Sequence, residues 1–138
     1  MTKSFAVQNG DILVKSSSVQ TVSGTDKLKQ DIFVWLAEAY GVDRFHPQYG
    51  STLSAHIGRL NTLDNAFAVE VETNRVLTNL QRYQKVLYEA DPSRYQPEEL
   101  LDTIIDVTAT PNLDNLSLQI TFATAVGKKD QLDITLEA

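Results

Sequence analysis

Apolar residues recur at helical spacing between residues 25 and 90 and at every second position from Leu101 onward, so the chain changes periodicity once. Leu28, Ile32, Trp35 or Leu36, and Ala39 lie on one stripe and predict a first helix. Thr25 is its expected cap, with Asp26 near the positive end, and Gly41 is the expected left-handed stop. Leu53, Ile57 and Leu60 predict a short second helix over residues 51–60, opened by Ser51. The longest helix is expected from about Leu63 to Glu89. Its stripe is Val69, Val76, Leu80, Tyr83 and Leu87, widened toward the N-terminus by Phe67 and Val71. Glu72, Arg75, Asn79, Arg82 and Lys85 form its polar face, and Asp91-Pro92 ends it.

After a single turn at Gln96 to Leu100, the spacing becomes that of strands. Ile105, Val107 and Ala109 alternate with Ile104, Asp106 and Thr108; Leu118, Ile120 and Phe122 alternate with Ser117, Gln119 and Thr121. Pro111 to Asn115 is a turn, Gly127-Lys128-Lys129-Asp130 a hairpin loop, and Leu132, Ile134 and Leu136 a third strand. This predicts an antiparallel meander over residues 101–137 with one apolar face, covered by a helical part over residues 25–90. The fold class is α+β, in one domain spanning residues 1–138. Residues 1–22 read as short extended pieces around the Asn9-Gly10-Asp11 turn signal, either an arm or strands of the main sheet.

Composition narrows the function. With 18 acidic and 12 basic residues, a formal net charge of −6 and no Lys/Arg run longer than Lys128–Lys129, the chain is expected to bind neither nucleic acid nor an anionic membrane. It has no cysteine, which removes disulfides, thiolate nucleophiles and Cys-based zinc sites. No segment has the length of a signal peptide's apolar core or a membrane helix, so assembly in the cytoplasm is expected.

Catalytic chemistry finds little support. His46 and His56 stand ten apart without cysteine partners and in no metal-binding motif, so no metal and no cofactor are expected. No phosphate loop or nucleophile elbow occurs. Glycoside hydrolysis needs only two carboxylates, but Glu70 and Glu72 point about 200° apart on a helix. Glu98 and Glu99 suit a helix start, and Glu89 and Asp91 lie at a helix end near Arg94, where a salt bridge is the simpler reading. No catalytic residue is assigned.

The segment Val22-Ser23-Gly24-Thr25-Asp26-Lys27-Leu28-Lys29-Gln30-Asp31-Ile32, followed by Trp35-Leu36, Gly41 and the turn Phe45-His46-Pro47-Gln48-Tyr49-Gly50-Ser51-Thr52-Leu53, carries a resemblance. It resembles the baseplate wedge, or sheath-initiator, family of contractile phage tails, which has members in type VI secretion baseplates. The order of extended segment, helix, Pro-x-Tyr-Gly turn, long helix and hairpin sheet extends the likeness over nearly the whole chain. The family's Glu-Pro-Arg tripeptide corresponds here to Asp91-Pro92-Ser93-Arg94, with a shorter acid and one inserted residue. The resemblance implies a virion protein, present as a ring of six around the tail tube or hub. Its implied partners are baseplate wedge proteins and the tail sheath protein, with Asp91, Pro92 and Arg94 contacting neighbouring subunits. Phe45, Pro47, Tyr49 and Gly50 are expected to shape the fold. Some members have been labelled lysozyme-like, so a cell-wall glycosidase is the alternative, with a small soluble adaptor as a third.

A strand near the chain end leaves unpaired N–H and C=O groups along one border. A sheath strand could add there, with Leu132, Ile134 and Leu136 setting register.

Overall fold

A 28-residue helix, Leu63–Ala90 (α2), spans the domain because Ala66, Val69, Thr73, Val76, Leu77, Leu80 and Gln84 give it a continuous buried stripe. A computed structural model describes residues 4–5, 7–8, 11–12, 14–15, 18–19, 21–38, 50–53, 63–112 and 115–137. α2 lies along β7 (Leu101–Pro111), the first strand of a three-stranded antiparallel sheet completed by β8 (Asn115–Thr124) and β9 (Lys129–Glu137) in the order β7-β8-β9. A shorter helix, α1 (Gly24–Ala37), packs against α2 and buries Leu28, Ile32 and Leu36. Two single-turn 3-10 helices, Pro92–Arg94 and Pro97–Glu99, carry the chain from α2 into β7.

The core forms where both helices meet the inward face of β8. Leu116, Leu118, Ile120 and Phe122 are buried there at every second position, as the alternation predicts. The α+β expectation therefore holds, with helices covering one face of a small sheet.

Several local readings are corrected. α1 begins one residue earlier than its expected cap: Ser23 takes the capping position without a side-chain cap bond, and Thr25 lies inside the helix. Gly24 opens the helix at φ +63°, a conformation only glycine adopts without strain. Phe67 and Val71 do not widen the buried stripe. They are 66% and 54% exposed, because i, i+4 steps from Leu63 carry them to the side of α2 away from the core. Tyr83 is also partly exposed, at the edge of the same stripe.

β7 departs from strict alternation twice. Register shifts fall between Leu101 and Thr103 and between Ile104 and Asp106, so Asp102 and Ile105 are extra residues in bulges. The second bulge changes the strand's phase. Ile104 and Val107 both pack against the core, while Ile105, expected inside, is 43% exposed.

The N-terminal segment forms three short antiparallel pairs: β1 (Ser4–Phe5) with β6 (Thr21–Val22), β2 (Val7–Gln8) with β3 (Asp11–Ile12), and β4 (Val14–Lys15) with β5 (Ser18–Val19). None pairs with the β7-β8-β9 sheet, so these strands are an appendage to it and not extra members. α1 does not run to the expected left-handed stop at Gly41: it ends at Ala37, and Glu38 caps it in extended backbone, its N–H donating to the Val34 carbonyl. The expected helix over 51–60 lies mostly outside the described residues; Leu53 is buried.

Candidate functional site

The two borders of the sheet are finished in different ways. Along β7, three side chains of α2 take up backbone groups that no strand reaches. Gln84 accepts from Leu101 N–H through Oε1 at 2.8 Å and donates through Nε2 to the Glu99 carbonyl at 3.1 Å. Gln81 donates to the Asp102 carbonyl at 2.7 Å, and Glu70 accepts from Ala109 N–H at 2.9 Å. Polar residues on a helix thus substitute for a missing neighbouring strand, which keeps buried backbone groups bonded.

Among the described residues, no helix side chain bonds the β9 backbone in this way. At its hairpin, Thr124 N–H donates to the Lys128 carbonyl and Gly127 N–H to the Thr124 carbonyl, both at 2.9 Å, with Gly127 at φ +84°. Thr124 and Lys128 are therefore a bonded pair. The β8–β9 register runs without a bulge from Ala123↔Lys129 to Asn115↔Glu137. Strict alternation then turns the N–H and C=O of Asp130, Leu132, Ile134 and Leu136 toward β8, and those of Gln131, Asp133 and Thr135 outward.

One outward group is already used, since Gln131 N–H donates to the Asp130 carboxylate at 2.8 Å. Lys29 of α1 holds that carboxylate at 3.1 Å. Partial burial pushes the Asp130 carboxyl up, but the Gln131 N–H and the charges of Lys29 and Lys128 outweigh it and leave its pKa below the usual carboxylate value. Beyond this stop, no bond from the described residues reaches the outward backbone groups of Asp133 and Thr135.

Leu132, Ile134 and Leu136 are half-buried and pack against the core directly beneath this border. They supply the apolar row, while the free bonding capacity belongs to Asp133 and Thr135, which the sequence reading did not name. The same period-two pattern identifies them once the hairpin pairing is known.

The remaining expected site residues separate from this border. Asp91 accepts from Ser93 Oγ at 2.7 Å and forms no ion pair with Arg94 among the described residues. The residue inserted in this tripeptide satisfies the acid locally, and Asp91, Pro92 and Arg94 are all exposed on the turn after α2. Phe45, Pro47 and Tyr49 lie outside the described residues.

Gly50 is described, at φ +96°. Its carbonyl accepts from Arg75 at 3.2 Å. Glu72 binds Arg75 and accepts from Thr52 N–H at 3.0 Å. Buried Ser51 donates its hydroxyl to the Leu36 carbonyl, and its N–H donates to the Glu38 carbonyl at 2.8 Å. Residues 50–52 are thus pinned between the end of α1 and the middle of α2. Burial pushes the Glu72 carboxyl up, but bonds from Arg75 and Thr52 and the Arg75 charge prevail and lower its pKa.

A cleft of about 150 Å³ opens between α1, α2 and the segment leading into β7. Lys27, Asp31, Trp35, Tyr83, Tyr95 and Glu99 line it. It pairs two acids, Asp31 and Glu99, that come from distant parts of the chain and that sequence spacing did not pair. Lys27 Nζ donates to Asp31 at 2.7 Å. Burial raises the Asp31 pKa, Lys27 opposes the shift, and the charge of Glu99 adds to it. Among the described residues no group of three metal-ligating side chains converges, and no helix is long and apolar enough to cross a membrane.

No protein-family model matches the chain, and no curated protein matches it in sequence. Among solved structures, the chain is similar to a "putative tail lysozyme" from Geobacter sulfurreducens. The TM-score is 0.57 at 14% identity, covering 92% of this chain and 96% of that one. The two share a fold along nearly their whole lengths.

Proposed function

We propose that this chain is a non-enzymatic component of a contractile tail baseplate whose β9 border receives a strand from a sheath subunit and so templates the first sheath ring. The observation that carries this reading is the asymmetry of the sheet: α2 bonds the β7 border, whereas no bond from the described residues reaches the outward backbone of Asp133 and Thr135. The shared fold with a protein described as tail-related supports a place in a phage-type tail, and the family resemblance supports the more specific role. Six copies in a ring, contacts to wedge proteins through the turn after α2, and a position in the virion belong to the same proposal.

The added strand would meet an apolar row below and a polar one above. Leu132, Ile134 and Leu136 face the core side, and Asp133 lies on the solvent face. A matching strand alternates apolar with polar or basic residues. Asp130 and Lys29 close one end of the border and so set where pairing starts.

The test is Thr135→Pro, which removes one outward N–H while sparing every bond to β8. In tails assembled with this variant, electron microscopy should show baseplates and tubes without polymerised sheath. Full-length sheaths would sink the proposal.

Hydrolysis is the second reading, favoured only by the Asp31–Glu99 cleft and by the neighbour's description. The cleft's volume is below the ~300–1,000 Å³ typical of small-molecule sites, and Asp31 is engaged by Lys27. A turbidity assay on cell-wall substrate decides it; clearing above buffer would favour the glycosidase.

A further inference from the structure

We infer that β9 of the free protein pairs antiparallel with β9 of a second copy of this chain, about a two-fold axis through Ile134. The inference rests on the reading of β9 as a strand-receiving border, and it names what fills that border before assembly. Among the described residues β9 pairs with β8 alone, and no bond reaches the outward groups of Asp133 and Thr135. The Gln131 N–H is committed to Asp130, which confines new pairing to Leu132-Asp133-Ile134-Thr135-Leu136. That run alternates apolar with polar residues in the same order from either end, with Ile134 at its centre.

A strand that pairs with its own copy has one free choice, the residue placed on the axis. With Ile134 there, Leu132 stands opposite Leu136 of the second copy and Ile134 opposite itself, so every apolar residue meets an apolar one. The outward N–H and C=O of Asp133 then meet those of Thr135 on the other chain, once on each side of the axis. Moving the axis to Asp133 sets two acids face to face and Leu136 against Asp130. Moving it to Thr135 carries Leu132 past the end of β9. Only the Ile134 register satisfies both rows.

An axis perpendicular to the sheet keeps the helices of both copies on one face, so the half-buried Leu132, Ile134 and Leu136 continue into the row of the other chain. The two Asp130–Lys29 ion pairs fall at opposite ends of the joint, each about 14 Å along the strand from the axis. The paired form masks the border and must separate before a sheath strand adds there.

The test uses the absence of cysteine from the chain. Residues opposite each other at a non-hydrogen-bonded position have Cα atoms about 4.5 Å apart, within the disulfide range. Under mild oxidant, intact protein carrying Ile134→Cys should become a covalent dimer. Leu132→Cys should stay monomeric, because its two thiols lie about 14 Å apart. Thr135→Asp, which opposes acids on both sides of the axis, should weaken dimerisation about threefold or more in sedimentation equilibrium, and Thr135→Lys should strengthen it by a similar factor. No bridge in Ile134→Cys, equal bridging in both cysteine variants, or the same direction of change in both Thr135 variants would overturn the inference. Should a variant fail to fold, sedimentation of the unaltered protein decides: a monomer at about 1 mM sinks the inference, and a dimer upholds it. These readouts use the protein alone, so they fail or succeed separately from the tail-assembly assay of sheath addition.

Discussion

The β7 and β9 borders belong to one sheet and share β8 as their neighbour, yet among the described residues only β7 has its border bonded by a helix. Its closure depends on Glu70, Gln81 and Gln84, three polar residues at helix positions that face a strand instead of water. The β9 border has a half-buried apolar row, and among the described residues no bond reaches its outward N–H and C=O groups beyond the Asp130–Lys29 stop. An isolated protein protects an open border with charge, and Asp130 and Asp133 serve that purpose here. The comparison shows how one small sheet can have one border bonded by a helix while the other keeps outward backbone groups without a bond from the described residues.

The largest effect should come from the closed border. Gln84→Ala strands a buried N–H at Leu101 and a carbonyl at Glu99, so a loss of about 2–4 kcal/mol in urea unfolding is expected. A loss below about 1 kcal/mol would mean that α2 does not close β7 in solution.

The next test contrasts adjacent residues of β9. Ile134→Pro removes an N–H directed at β8 and should cost more than about 2 kcal/mol. Thr135→Pro removes an outward N–H and should cost clearly less. Equal losses would show that the inferred alternation is wrong.

A smaller effect is expected at Glu70→Ala, which leaves the partly buried Ala109 N–H without its acceptor and should cost about 1–2 kcal/mol. Glu70→Gln retains an acceptor and should recover most of that loss.

The smallest is the pH response. Glu72 has a lowered folded pKa, so its contribution is present above the unfolded carboxylate value and is lost as pH falls through the folded one. Asp31 has a raised folded pKa, so its contribution has the opposite sign: it is present at low pH and lost as pH rises through that value. Stability measured from about pH 7 to about pH 3 should therefore fall less steeply in Glu72→Gln and more steeply in Asp31→Asn. Unchanged slopes in both would break the link between these two acids and acid sensitivity.

Helix and strand periods made most of the architecture readable beforehand. Leu28, Ile32 and Leu36 face the core as their spacing requires, and so do Leu118, Ile120 and Phe122. The failures are specific. Phe67 and Val71 are apolar residues on the outer side of α2, and residue type alone cannot distinguish an exposed position from a core position. Ile105 was misassigned because a bulge has no marker in an alternating run. The acid–aromatic cleft joins Asp31 to Glu99 across 68 positions of chain, a pairing that no local pattern encodes.

By itself the sequence determined the element types, their order, the apolar faces and the absence of any cysteine chemistry, because these depend on residue identity and on spacings of a few residues. Tertiary structure alone decided which sheet border is closed. That outcome depends on where α2 comes to rest against β7, and long-range packing sets this position. The same packing gives Gln81, Gln84 and Glu70 their backbone partners and leaves Asp133 and Thr135 facing outward.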